Sequence, residues 1–196
     1  MSRMLQLFVS LLFVFMLIGC SEEAPQQVEQ KNTKETPAMK ANKALPAKNT
    51  KAFTVQNAKA WKPFKGNTVN IEKDGTVLLA SSLNNPKSSV TTQGAYVVVP
   101  LAQVKDYSDK TVQITVIAAK AKENGSAEFA VAYSTAEVGN SGWKKFTPGE
   151  KFASYSFKYK IPTCKECKPD FIGVWADTKG SNKGLLVKSV SVTTLN

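Results

Sequence analysis

Alternation of apolar and polar residues with a period of two recurs along residues 53–196, and it limits the folds of this chain more than any other feature. In Thr111 to Ala118, Val112, Ile114 and Val116 fall on one face, and Thr111, Gln113 and Thr115 on the other. Glu128 to Tyr133 repeats the pattern, with Phe129, Val131 and Tyr133 opposed to Glu128, Ala130 and Ala132. In Phe152 to Ile161, Tyr155, Phe157, Tyr159 and Ile161 alternate with Ser156, Lys158 and Lys160. Successive side chains of a strand point to opposite faces, so each segment reads as a half-buried strand. Asn70 to Glu72, Thr76 to Ala80, Ala95 to Val99, Phe171 to Asp177 and Leu185 to Thr194 complete the set. Asp74-Gly75 and Asn124-Gly125 are turn dipeptides. No stretch of ten residues carries a convincing helical period. Eight or nine short strands separated by turns predict an all-β fold, a two-sheet β-sandwich.

The strands occupy residues 53–196, or 144 residues, which is one domain able to form a core without disulfide support. This segment carries 19 lysines and no arginine against 11 acidic residues, a formal charge of +8. Arginine's bidentate fork is what phosphate and base recognition favour, so nucleic acid is a poor partner despite the basic charge. A solvated lysine surface accounts for the charge, and attraction to lipid headgroups, lipopolysaccharide or acidic glycans is its functional counterpart. The chain contains no histidine. That removes the commonest general base and zinc ligand, and with them the Ser-His-Asp, Cys-His and HExxH chemistries. The carboxylates form no recognisable catalytic pair, so no enzyme activity, cofactor or metal is expected.

The N-terminus has a different character. Arg3 precedes an apolar run from Leu5 to Ile18 broken only by Gln6 and Ser10. About 14 residues fall short of the roughly 20 that span a bilayer, and the pattern is that of a secretory signal peptide. Its ending, Leu17-Ile18-Gly19-Cys20, resembles a bacterial lipobox. The resemblance implies a signal peptide over 1–19, cleavage before Cys20 and acylation of that cysteine, palmitate included. It also implies a membrane partner through the lipid. Ser21 follows the cysteine, which points to the outer membrane in a Gram-negative cell, facing the periplasm or the surface. Residues 21–52 hold three prolines, no aromatic residue, and only Val28, Met39 and Leu45 as large apolar side chains. Such a segment buries too little surface to offset its ordering entropy. Residues 20–52 therefore read as a lipidated disordered tether, with an r.m.s. span of about 30 Å for its 32 flexible residues. Cys164 and Cys167 are the other two cysteines, and outside the cytoplasmic membrane they are expected to pair as a disulfide.

The order of landmarks along 53–196 resembles the galactose-binding-type jelly roll of many carbohydrate-binding modules. Trp61 precedes Asn70-Ile71-Glu72-Lys73-Asp74-Gly75-Thr76, and Lys110 to Val116 leads to Ala118-Ala119-Lys120-Ala121. Ala130 to Ser134 precedes Gly142-Trp143-Lys144-Lys145-Phe146, and Phe157 to Pro162 and Leu185 to Val192 close the series. The resemblance implies a non-catalytic sugar-binding fold. Ser189 stands where such modules commonly carry an acidic residue, which puts the role of that carboxylate, a structural calcium included, in doubt. Sugars stack on aromatic rings among polar groups. On Phe171 to Asp177, Ile172, Val174 and Ala176 make a core face, while Phe171, Gly173, Trp175 and Asp177 point the other way. Trp175 is the expected platform, with a hollow at Gly173 and Asp177 as acceptor; packing of Trp175 as a core side chain is the alternative. Gln113 and Glu128 are expected on the same outer face, and Trp143 is a further candidate that alternation does not place. Two readings follow: a monomeric, lipid-anchored module for carbohydrate, or an envelope lipoprotein whose sandwich contacts another protein.

Overall fold

The computed structural model describes residues 52–83 and 94–195. The leader 1–19, Cys20 and the tether up to residue 51 lie outside the described residues. Among the described residues eleven strands follow in order: Phe53–Val55 (β1), Asn67–Ile71 (β2), Val77–Ser81 (β3), Ala95–Val99 (β4), Thr111–Lys120 (β5) and Phe129–Thr135 (β6). Gly139–Asn140 (β7), Lys144–Phe146 (β8), Ala153–Lys160 (β9), Asp170–Trp175 (β10) and Gly184–Thr194 (β11) complete them. One sheet runs β2-β3-β11-β5-β9, with β1 also on β11; the other runs β4-β10-β6-β7, with β8 also on β6. All named strand pairs are antiparallel. The fold is the expected all-β sandwich.

Each strand sends its apolar set inward. Val112, Ile114, Val116 and Ala118 of β5, Val97 and Val99 of β4, and Ile172 and Val174 of β10 all join one buried cluster. Full burial of such a side chain stabilises by about 1.5–3 kcal/mol. Rings of Phe129, Phe146 and Tyr155 meet at centroid distances of 5.1–5.7 Å between the sheets. Trp61, which alternation left unplaced, is buried in this core. β11 holds the one irregularity that the pattern demanded. Leu185 and Val187 face inward at odd positions, Val190 and Val192 at even ones. The register of β11 against β5 shifts between Val187 and Ser189, so one extra residue brings both sets to the core side.

The hairpin between β2 and β3 turns at the expected dipeptide. Gly75 adopts φ +82°, and Asp74 accepts hydrogen bonds from the N–H (3.0 Å) and hydroxyl (2.6 Å) of Thr76. Among the described residues two short helices stand between strands, a single 3-10 turn at Ala58–Ala60 and Leu101–Tyr107 (α1). α1 buries Val104 and Tyr107, three residues apart. A helix of seven residues is too short to show a period, which is why the sequence did not display it. Cys164 and Cys167 form a disulfide in the loop between β9 and β10, with Cα atoms 5.1 Å apart. Among the described residues no helix is long and apolar enough to cross a membrane.

Candidate functional site

Directly opposed residues of an antiparallel pair share a face of the sheet. The registers of β4, β10, β6, β7 and β8 therefore lay out the outer face of the five-stranded sheet row by row. One row is Val98, Phe171, Ser134 and Asn140. The next is Tyr96, Gly173 and Ala132, and the third is Trp175, Ala130 and Lys145. The middle row extends past β4. Lys62 forms a bridge with Tyr96 through two reciprocal backbone hydrogen bonds of 2.9 Å, so its side chain stands on this face as well.

Aromatic rings collect here, away from the core. Tyr96 and Phe171 make an edge contact at 5.7 Å, and Trp143 and Trp175 another at 5.9 Å. Below them lie Gly173, Ala130 and Ala132, all buried but absent from the core cluster. Small residues at those positions leave height for rings above the sheet. Tyr96, Phe171 and Trp143 remain half-buried. Trp143 is set by a tight turn. Gly142 adopts φ +66°, and its N–H donates to Asn140 Oδ1 at 2.9 Å. The Trp143 Nε1–H is buried and finds no hydrogen-bond partner among the described residues. Such a group ordinarily has a partner, and an unpaired one calls for explanation.

The structure redistributes the expected site residues. Trp175 is on the anticipated face, but only 6% exposed, and its Nε1–H donates to the Leu83 carbonyl at 3.0 Å. It supports the neighbouring ring of Trp143 and offers little surface of its own. Asp177 is 2% exposed and accepts from the backbone N–H groups of Lys179 (3.1 Å), Ser181 (2.7 Å) and Lys183 (3.1 Å). Its oxygens organise the loop into β11 and leave no acceptor directed at a ligand. Glu128 reaches the outer face, where it accepts from the Thr178 hydroxyl at 2.6 Å and pairs with Lys145 at 3.1 Å. Gln113 belongs elsewhere. It lies on β5 of the six-stranded sheet, opposite Lys158 and Thr193, on the far side of the sandwich from Trp175. Alternation tells which face of a strand a residue occupies; it does not tell which sheet the strand joins.

Tyr96 and Lys62 were missed. For Tyr96 the signal was present: Ala95, Val97 and Val99 mark the core face, so Tyr96 points out. For Lys62 there was none, because its placement comes from pairing with β4 across 34 positions of sequence. Among the described residues no cluster of three or more acidic, cysteine or histidine side chains could hold a metal ion. The carboxylate most perturbed by burial, Asp170, is on the core side. Desolvation raises its pKa, while hydrogen bonds from Tyr133 Oη (2.7 Å) and the Ala136 N–H (3.1 Å) pull the other way. The same burial lifts the Tyr133 phenol far above its ordinary value.

No family model matches the chain, and no curated protein matches it. Its fold is similar to that of several solved structures. One is a xylan-binding module, CBM15, at 15% identity and TM-score 0.49, covering 76% of this chain and 99% of that one. Another is the C-terminal CBM6 of LamC from Zobellia galactanivorans, at 12% identity and TM-score 0.43, covering 72% and 98%. A third is the CBM22-1 and GH10 modules of xylanase 10B from Clostridium thermocellum, complexed with xylohexaose. It matches at 14% identity and TM-score 0.49, with 76% of this chain but 29% of that one covered.

Proposed function

We propose that this protein is a non-catalytic carbohydrate-binding module carried on a lipid-anchored tether of the bacterial cell envelope. The observation that carries the reading is the group of half-buried rings, Tyr96, Phe171 and Trp143, on the face turned away from the core. A sandwich of this size already buries a complete aromatic cluster between its sheets, so these rings are not needed to close it. Their polar surroundings are those a sugar requires: Ser134 and Asn140 at one end, Lys145 and Glu128 at the other. Apolar C–H faces of a pyranose would stack on the rings.

A glycan array with the full chain in detergent tests the binding. Trp143→Ala should lower affinity for any glycan found by at least about tenfold, near 1.4 kcal/mol, with the far-UV spectrum unchanged. Full retention of binding by both Trp143→Ala and Tyr96→Ala would remove this face from consideration. Anchoring rests on Leu17 to Cys20. Cys20→Ala should release the protein from membranes and abolish palmitate labelling. Membrane fractionation and labelling that persist in the variant would contradict the anchor, and co-sedimentation with inner membranes would contradict the outer-membrane placement.

A further inference from the structure

Resting on that reading of the aromatic face, we infer that its ligand is an anionic glycan, one bearing uronic-acid or sulfate groups, and that Lys62 determines this preference. The three rows described above contain two lysines and no carboxylate. The lysines stand at opposite ends. Lys62 lies beyond β4 beside Tyr96, and Lys145 lies on β8 beside Ala130. Four strand spacings separate their backbones, about 19 Å at roughly 4.8 Å each, which brackets the rings between two cations.

The two cations differ in what they already hold. Lys145 is paired with Glu128 at 3.1 Å, and that carboxylate also accepts from Thr178. Lys62 is exposed, and no carboxylate lies within ion-pair distance of it among the described residues. Its backbone is fixed by the two bonds to Tyr96, so its ammonium works from a defined base next to a ring. The other carboxylate expected here, Asp177, is committed to three backbone N–H groups. A neutral polysaccharide offers that ammonium only hydroxyl acceptors. A carboxylate or sulfate on the sugar held by Tyr96 would gain a charge-assisted hydrogen bond from it. The domain's formal charge of +8 steers the same polymers toward the surface.

The test compares one polymer with and without its charge: polygalacturonate and its carboxyl-reduced, neutral counterpart, with a sulfated galactan as a third arm. The full chain in detergent should bind at least one charged polymer at least about tenfold more tightly than the neutral one. That difference should shrink as salt rises toward about 1 M, where screening is nearly complete. Lys62→Gln, which keeps both backbone bonds, should lower affinity for the charged polymer about five- to tenfold and leave the neutral one unchanged. Lys158→Gln removes an equal charge from the outer face of the other sheet and should change neither. Equal binding of charged and neutral polymers, or equal losses in the two lysine variants, would overturn the inference while leaving a glycan module in place. No binding of any polysaccharide, with anionic phospholipid vesicles captured instead, would overturn both.

Discussion

Trp175→Ala should behave as a core mutation although the residue lies on the outer face. The ring is 6% exposed, touches Trp143 edge-on at 5.9 Å and donates Nε1–H to Leu83 at 3.0 Å. Truncating a buried aromatic to alanine costs about 3–5 kcal/mol. Within that, the hydrogen bond contributes about 1 kcal/mol and the ring pair about 0.5–1.5 kcal/mol. Trp175→Phe keeps a six-membered ring but removes the donor and the fused five-membered ring, so it should cost less, about 1–2 kcal/mol shared between a small cavity and the stranded Leu83 carbonyl. Urea denaturation followed by far-UV circular dichroism separates the cases without relying on tryptophan emission. With a slope near 2 kcal/mol per molar urea, the alanine midpoint should fall by about 2 M and the phenylalanine midpoint by less than about 1 M. Trp143→Ala, at a half-buried ring whose Nε1–H has no partner, should move the midpoint less than Trp175→Ala does. An alanine midpoint within about 0.3 M of wild type, together with lost glycan binding, would refute this reasoning and make Trp175 the exposed platform.

Asp177→Ala strands three backbone N–H donors at once and should destabilise by about 3 kcal/mol, checked by the same urea melts. Joint replacement of Cys164 and Cys167 by alanine opens a loop of separation 3 and should cost only about 2 kcal/mol, leaving the fold intact; mass spectrometry of envelope protein should show the pair oxidised. Burial raises the Asp170 carboxyl above its ordinary value of 3.8, so the unfolded chain ionises first and wild-type stability falls as pH rises from about 4 through the raised value. Asp170→Asn removes that component, and its stability relative to wild type should improve as pH rises from about 4 through that raised value. An unchanged difference across that range would show that the carboxyl titrates alike in both states.

Strand positions were legible because burial imposes a two-residue period wherever one face meets a core. Even the bulge in β11 is written in the sequence, since Val187 and Val190 cannot both face inward along an unbroken strand. What a one-dimensional period cannot carry is the assignment of strands to sheets. Gln113 and Trp175 were grouped because each points away from a core face, yet they stand on opposite sides of the sandwich. Asp177 illustrates a different gap. Asp177-Thr178-Lys179-Gly180-Ser181 is a loop-forming run in which a carboxylate captures nearby N–H groups, and that local chemistry outweighs any role toward a ligand. Lys62 depends on a contact between distant segments, which no local pattern encodes.

The sandwich presents a different set of side chains on each outer face. That of the six-stranded sheet carries Gln113, Thr115 and Ile117 from β5, Ser154, Ser156 and Lys158 from β9, and Ser189, Ser191 and Thr193 from β11. Its short hydroxyl side chains suit a solvated surface, and Ile117 with the opposed, half-buried Leu78 of β3 and Leu186 of β11 adds an aliphatic patch. The five-stranded sheet places four rings over glycine and alanine on the corresponding face. Large apolar side chains left half-exposed gain only part of their burial energy, so stability alone does not favour them there. The core does not require them either, because its own aromatic cluster is closed. The two faces thus differ in kind: aromatic rings gather on one, hydroxyls and a few aliphatic side chains on the other. That difference is what supports the proposed binding role of the face that carries Tyr96, Phe171 and Trp143.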